Sequence, residues 1–267
     1  MISVYKRTCG PRLGNFGDEL NRLIVGNILG EENVISVERF EDAQLVAIGS
    51  IIQDIPEHWC GIIWGTGLMF EHLQPRQPNA KVIALRGKMT ARRMGKAVNT
   101  EGYLMPPVFG DPGLLADRLQ AKSSTTHELG VVPHYVDYDN VDILKQLGGL
   151  GAAVKVIDPC QHPLNVLADI SACQHIVSSS LHGMITAHAY GIPATWARFS
   201  DKVQGGAFKF QDYLSAFGID DSLPLIVDTG DGVAGICNAI RKTKQPDVAE
   251  AKESLVKCLR DALPLCA

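Results

Sequence analysis

The chain has 267 residues, 46% of them hydrophobic and 20% charged, with a formal net charge of −4. A chain of that length buries a core without disulfides or structural metal, and its composition excludes disorder, coiled coil and collagen-like repeats. Twenty-five basic against 29 acidic residues exclude a long-range pull towards nucleic acid.

In chain order, 2–6 reads as a strand and 18–29 as a helix with Leu20, Leu23, Ile24 and Ile28 along one face. Strand-like runs follow at 34–37, 45–49, 61–64 and 81–85, then a basic helix at 88–96. Gly110-Asp111-Pro112-Gly113 breaks the pattern and opens a short helix, with Asp111 a turn residue. The polar stretch AKSSTTHE at 121–128 is a linker. Beyond it the alternation restarts, with strands at 130–135, 154–157, 175–179, 194–197 and 225–227, and helices at 141–147, 165–172, 182–190, 232–242 and 247–262. The expected architecture is α/β, two Rossmann-like lobes at 1–120 and 128–267 facing a cleft, the last helix packing back on the first lobe. Ligands of such sheets sit beyond the carboxyl ends of the strands.

No apolar run approaches the roughly 18 residues of a membrane span. The opening Met-Ile-Ser-Val-Tyr-Lys-Arg lacks the apolar centre of a signal peptide. Seven scattered cysteines without a Cys-x-x-Cys pair supply neither a disulfide framework nor a zinc site, so reduced thiols in a cytoplasmic protein are expected.

Four stretches carry chemistry. In HIVSSSLHGMITAHAYGIP, 175–193, a strand ends in Ser178, Ser179 and Ser180, and a helix opens at His182 and Gly183. Free amides and the positive end of that helix suit an anion, with the hydroxyls as further donors. The alternative is that the serines cap a helix and His182 is a satisfied core histidine. His188, about 240° further round the helix, is structural. In GNFGDELN, 14–21, Asn15 or Asp18 caps a helix, while the paired glycines suggest close approach of the backbone to a ligand and make Asp18 a candidate base. In ALRGKMT, 84–90, Arg86 ends a buried strand and either aims its guanidinium at a cleft anion or ties down an inter-domain acid. In VVPHYVD, 131–137, His134 ends a strand beside a proline and either faces the cleft or is structural.

Asp137 and Asp139 have the spacing that holds a divalent metal in some nucleotide-sugar glycosyltransferases, but helix starts use the same residues, and no metal site is assigned. After Gly205-Gly206, the segment KFQDY with Lys209 reads as a mobile basic loop or as a solvated helix start. No dinucleotide fingerprint, Walker loop, nucleophile elbow or His-Glu-x-x-His is present. An anion site with an Arg, a His and an Asp remains: a transferase acting on an anionic donor.

Together GNFGDELN, ALRGKMT, GDPGLL, VVPHY, SSSLHGMITAHAYGIP and KFQDY, spread over about three quarters of the chain, resemble the polysaccharide pyruvyl transferase family, xanthan-type ketal pyruvyl transferases in particular. Many members of that family carry Arg where this chain has Ser180. The resemblance implies a GT-B-like fold and transfer of pyruvate from phosphoenolpyruvate onto O4 and O6 of a terminal hexose, mannose, of a lipid-linked bacterial exopolysaccharide repeat unit. Phosphoenolpyruvate is the co-substrate and no cofactor is needed. The protein would be cytoplasmic or peripheral at the inner membrane face, with no nucleic acid partner. The residue roles follow from it. His182 moves a proton or grips phosphate, and Asp18 is the base. Arg86, Ser178, Ser179, Ser180, Gly183 and Lys209 hold the donor on the second lobe, and Asn15 and His134 meet the acceptor, which the first lobe would hold. The alternatives are a GT-B-type nucleotide-sugar glycosyltransferase and a non-catalytic carbohydrate-binding protein.

Overall fold

A computed structural model describes residues 1–8, 14–77, 79–94, 108–138 and 142–263. Short β-branched runs pair as two all-parallel sheets. The first has six strands, β1 (Ile2–Tyr5), β2 (Val34–Val37), β3 (Leu45–Val46), β4 (Ile62–Trp64), β5 (Lys81–Leu85) and β6 (Val108–Phe109), in the order β2-β1-β3-β4-β5-β6. Helix α1 (Phe16–Leu29) crosses from β1 to β2, and α2 (Lys88–Met94) follows β5. The second sheet holds β7 (His127–Val132), β8 (Val154–Val156), β9 (Cys173–Ser178) and β10 (Ala194–Trp196) in the order β10-β9-β7-β8. Its helices are α3 (Tyr135–Tyr138), α4 (Asp142–Gly148), α5 (Pro163–Ser171), α6 (Leu181–Ala189), α7 (Phe208–Ser215), α8 (Gly232–Lys242) and α9 (Ala249–Ala262).

Propensity and packing agree along α1. Asn15 caps it by accepting from Gly17 N, Asp18 and Glu19 sit at its positive end, and Leu20, Ile24 and Ile28 are buried, each worth about 1.5–3 kcal/mol. The expected strand at 45–49 is cut to two residues because the Ile48 amide donates to Asn21 Oδ1 at 2.8 Å instead of to the ladder. The stretch 225–227 contributes only a bridge between Ala197 and Leu225. The KFQDY segment at 209–213, read as a mobile basic loop or solvated helix start, lies within the buried helix α7, on which Phe208, Phe210, Tyr213 and Leu214 all face inward.

The halves are closely joined. Helix α1 packs on α5, and a 3-10 helix, Pro112–Arg118, packs on both α1 and α6. The Phe16 amide donates to Pro159 O at 3.0 Å. Helix α9 returns to lie on β5 and β6, where Trp64 Nε1 donates to Leu255 O at 3.0 Å. Among the described residues no helix is long and apolar enough to cross a membrane.

Strand order locates the site. The winding of the first sheet reverses between β1 and β3, and that of the second between β7 and β9. Open parallel sheets bind ligands beyond the carboxyl ends of the strands at such reversals. Here both reversals open onto one space.

Candidate active site

That space is a cavity of about 170 Å³. From the first sheet come Arg7 after β1, Asn15 and Asp18 at the start of α1, Gly49–Ile51 after β3 and Met69 after β4. From the second come His134 after β7, Ser180, Leu181 and His182 after β9, and Lys202, Gln204 and Lys209 after β10. Every contributor lies past a strand's carboxyl end.

His182 stands in the first turn of α6 and is 6% exposed. Its Nε2 lies 3.8 Å from Asp111 Oδ2, just beyond hydrogen-bond length, and neither atom has a hydrogen-bond partner among the described residues. The opposite edge of the ring presses on α1, so closely that a Cβ at Gly17 would lie 2.1 Å from His182 Nδ1. The close approach suggested by the paired glycines is thus made, at Gly17, to an imidazole of the other half. Burial, with help from the charges of Arg86 and Lys209, lowers the His182 pKa to about 3, so the ring is neutral. Burial raises Asp111 to about 7 despite the Gly113 amide that donates to its Oδ1. Asp111 does make the turn the sequence suggested, capping the 3-10 helix. Its second role, facing His182, was missed because local pattern says nothing of a residue 71 positions on.

Asp18, 8% exposed, is raised to about 7 by desolvation, against the pull of Arg7 and a 3.4 Å hydrogen bond from Asn15 Nδ2. Lys209, 5% exposed, has no hydrogen-bond or ion-pair partner among the described residues. Burial and the charge of Arg86 bring it down to about 7, with Asp137 acting the other way. His134 is held neutral, at about 3, by burial and by Lys209 and His182. Its Nδ1 accepts from Val136 N at 3.4 Å, which leaves the proton on Nε2. Ser180 is the N-cap of α6 yet makes no capping bond, so its hydroxyl and the first amides of the helix are open to the cavity.

Four expectations are corrected. Arg86 does not reach into the cavity. It is fully buried, and its Nε donates to Asp212 Oδ2 at 2.8 Å, Nη2 to Leu68 O at 2.6 Å and Nη1 to Ser50 Oγ. The inter-domain tie is therefore the reading that holds, and a guanidinium with these bonds has no fork left for a donor. Asp212 also accepts from Thr90 N and Thr90 Oγ1, both at 2.7 Å, and so caps α2 from another helix. The Ser178 hydroxyl is spent on Val132 O and Ser180 O, each at 2.7 Å. Ser179 Oγ donates to Asp137 Oδ2 at 2.7 Å and accepts from His134 N at 2.8 Å, so it shapes the site without facing it. Gly183 serves packing, since a Cβ there would strike Ser178 Oγ and Val132.

Asp137 accepts from Ser200 as well as Ser179, while Asp139 lies outside the described residues. His188 is structural: Nδ1 pairs with Tyr213 OH at 2.8 Å and Nε2 with Ala194 O at 3.4 Å. The site also has Arg7, Ser50, Lys202 and Gln204, which sequence reasoning passed over. Arg7 ends the first strand's run, the one signal that would have found it.

Residues 77–198 match the polysaccharide pyruvyl transferase family, a span that holds Asp111, His134, Ser180 and His182. The chain is 30% identical over 214 residues to the uncharacterized protein L143 of Acanthamoeba polyphaga mimivirus, covering 77% of this chain and 72% of that one. The chain belongs to the polysaccharide pyruvyl transferase family.

It is also 25% identical over 218 residues to the succinoglycan biosynthesis protein ExoV of Rhizobium meliloti (strain 1021), 77% of this chain and 62% of the relative, so it spans less than two thirds of that protein. No solved structure matches. This pyruvyl transferase presents a small cavity where the positive end of α6, the Lys209 ammonium and two neutral imidazoles face two carboxyl groups that burial brings near neutrality. Such a set has the chemistry to attract an anion, and its two carboxyl groups and Lys209 are placed to exchange protons near pH 7.

Proposed function

We propose that this chain transfers the three-carbon unit of phosphoenolpyruvate onto O4 and O6 of a terminal hexose, mannose, in a lipid-linked exopolysaccharide repeat unit, forming a pyruvate ketal. The observation that carries this reading is an unpaired, buried Lys209 beside the open amino end of α6 in one small cavity. At about 170 Å³ the cavity is below the roughly 300–1,000 Å³ of sites for drug-sized ligands, which favours a three-carbon phosphate over a nucleotide sugar. The family, and the relative named for succinoglycan biosynthesis, support pyruvyl transfer in exopolysaccharide synthesis. We read the halves 1–120 and 128–267 as GT-B-like lobes, the acceptor being lipid-linked and met at the inner membrane face.

Lys209, the α6 amides, Ser180 and His134 Nε2–H hold the phosphate and carboxylate. A bound dianion also restores the Lys209 charge that burial weakens. The enol methylene of the donor takes a proton, and C2 becomes electrophilic. One sugar hydroxyl attacks C2 and yields its proton to Asp18. The C2–O bond to phosphate breaks, and the second hydroxyl closes the ketal, its proton leaving on phosphate. Protonated Asp111 faces His182 Nε2 and so places the imidazole proton on Nδ1; as His182 gives that proton to the methylene, Nε2 takes the proton of Asp111, which leaves the imidazole neutral and Asp111 as the carboxylate. Asn15 orients Asp18 through its 3.4 Å bond. General acid–base help of this kind is worth roughly 10²–10⁴-fold. The donor is already activated, so the scheme uses no redox or covalent cofactor.

The test is mass spectrometry of mannose-terminated oligosaccharides incubated with the protein and phosphoenolpyruvate, with phosphate release followed in parallel. Acceptor-dependent phosphate release and an added pyruvate ketal are expected. Phosphate release without acceptor modification, or none at all across hexose-terminated acceptors, rejects the reading.

A further inference from the structure

A second cavity, of about 430 Å³, opens beside the first. Gln204 belongs to both walls, and the chain passes from one cavity to the other between Met69 and Phe70 and between Lys209 and Phe210. The two differ in character. Trp196 and Phe210 stack in the wall of the second, centroids 4.8 Å apart and planes 9° apart, with Trp196 fixed by its 2.9 Å bond to Ser222 Oγ. Phe70, at 36% exposure, stands at this cavity with its ring stacked on His72, centroids 5.6 Å apart, and partly open to solvent.

The charged groups of this wall, Arg198 and Asp201, pair with each other at 2.5 Å. The Ser179 and Ser200 hydroxyls are both turned to Asp137. The second cavity is therefore neutral and aromatic where the first is cationic. Its volume falls within the roughly 300–1,000 Å³ usual for small-molecule sites. A ligand that suits it is uncharged, larger than the donor, and has C–H faces to lay on π surfaces.

We propose that this cavity is the acceptor subsite and seats the pyranose ring of the terminal sugar, with Phe70 as its stacking face and Gln204 steering two hydroxyls into the donor cavity. The inference rests on the pyruvyl transfer reading above, and it sets the acceptor mainly against the second half of the chain rather than the first, as the sequence suggested. No covalent step is added.

The experiment uses the full chain with methyl glycosides of mannose, glucose and galactose as probes, followed by saturation-transfer NMR, and phosphoenolpyruvate followed by calorimetry. Phe70→Ala is expected to weaken the glycoside by about tenfold, the loss of one ring contact, and to leave the donor constant unchanged. Gln204→Ala, at an exposed position, is expected to weaken glycoside and slow transfer while keeping the fold. Lys209→Ala should do the reverse of Phe70→Ala, weakening the donor alone. Glycoside binding that survives both Phe70→Ala and Gln204→Ala, or no glycoside binding to the native chain, overturns the subsite even if the donor binds. Failure of phosphoenolpyruvate to bind overturns the donor reading instead, and the two failures are read separately.

Discussion

Arg86 with Asp212 and His182 with Asp111 are both buried pairs of a basic and an acidic side chain, but only the first is satisfied. Asp212 takes three hydrogen bonds, and Arg86 makes three of its own. Among the described residues neither His182 Nε2 nor Asp111 Oδ2 has a hydrogen-bond partner, at a separation of 3.8 Å. Burying charge costs several kcal/mol per ion unless the ions are paired and hydrogen-bonded, and in the first pair every side-chain nitrogen and oxygen has a partner, which also ties α2 to α7. The second avoids the cost by staying neutral, and a neutral acid beside a neutral base is able to pass a proton. Burial is common to both pairs; what differs is that the second leaves polar atoms unmet at the cavity, whereas the other unmet buried oxygens among the described residues, on Gln77 and Asp117, lie outside it.

The largest effect should come from breaking the satisfied pair. Arg86→Met leaves a buried carboxylate, and we expect a loss of about 3–5 kcal/mol in urea-induced unfolding, with activity lost only as folded protein is lost. A stability change within error would mean that the pair holds nothing together. The other pair should respond in the opposite way. His182→Ala is expected to lower kcat by roughly 10²–10⁴ while the unfolding midpoint stays close to native. Near-native turnover removes His182 from the mechanism.

Asp111→Asn is the finer test. The substitution keeps the oxygen that caps Gly113, and kcat is expected to fall by roughly 10²-fold as the imidazole loses its orienting acid. Stability gives the sign. The folded pKa of Asp111 is about 7 against an ordinary 3.8, so its contribution is fully present below the unfolded value and is lost as pH rises through 7. Asn has no such dependence. The difference in unfolding free energy should therefore move in favour of Asp111→Asn between pH 4 and 7 and level off above 7. A flat difference would show that Asp111 ionises in the fold as it does in water.

The fold was largely legible, and for a physical reason. Strands buried on both faces spell continuous apolar runs, as in 81–85, and amphipathic helices such as α1 and α8 carry their period in sequence. What escaped depends on partners far along the chain. The two-residue β6 is too short for any period, and Asn21 ends β3 from 27 positions away. At the site, Asp18, His182, Lys209, Asn15, His134 and Ser180 were found and do line one cavity, because strand-to-helix turns mark the carboxyl ends of strands. Arg86 shows the limit of that rule. A cation at a strand end has the same local signature whether it meets a ligand or, 126 residues on, an Asp.

The last helix has a consequence for traffic through the molecule. The chain passes from the first sheet to the second at 121–126 and, between α8 and α9, passes back. Two crossings, with Trp64 hydrogen-bonded to Leu255, tie the two sheets together at more than one point of the chain. Of the described residues that line the cavity, Lys202 and Gln204 are exposed and Arg7 is partly so, and they mark where it meets solvent. On the proposed function, a long sugar chain would be worked on from its tip, with the remainder trailing outside.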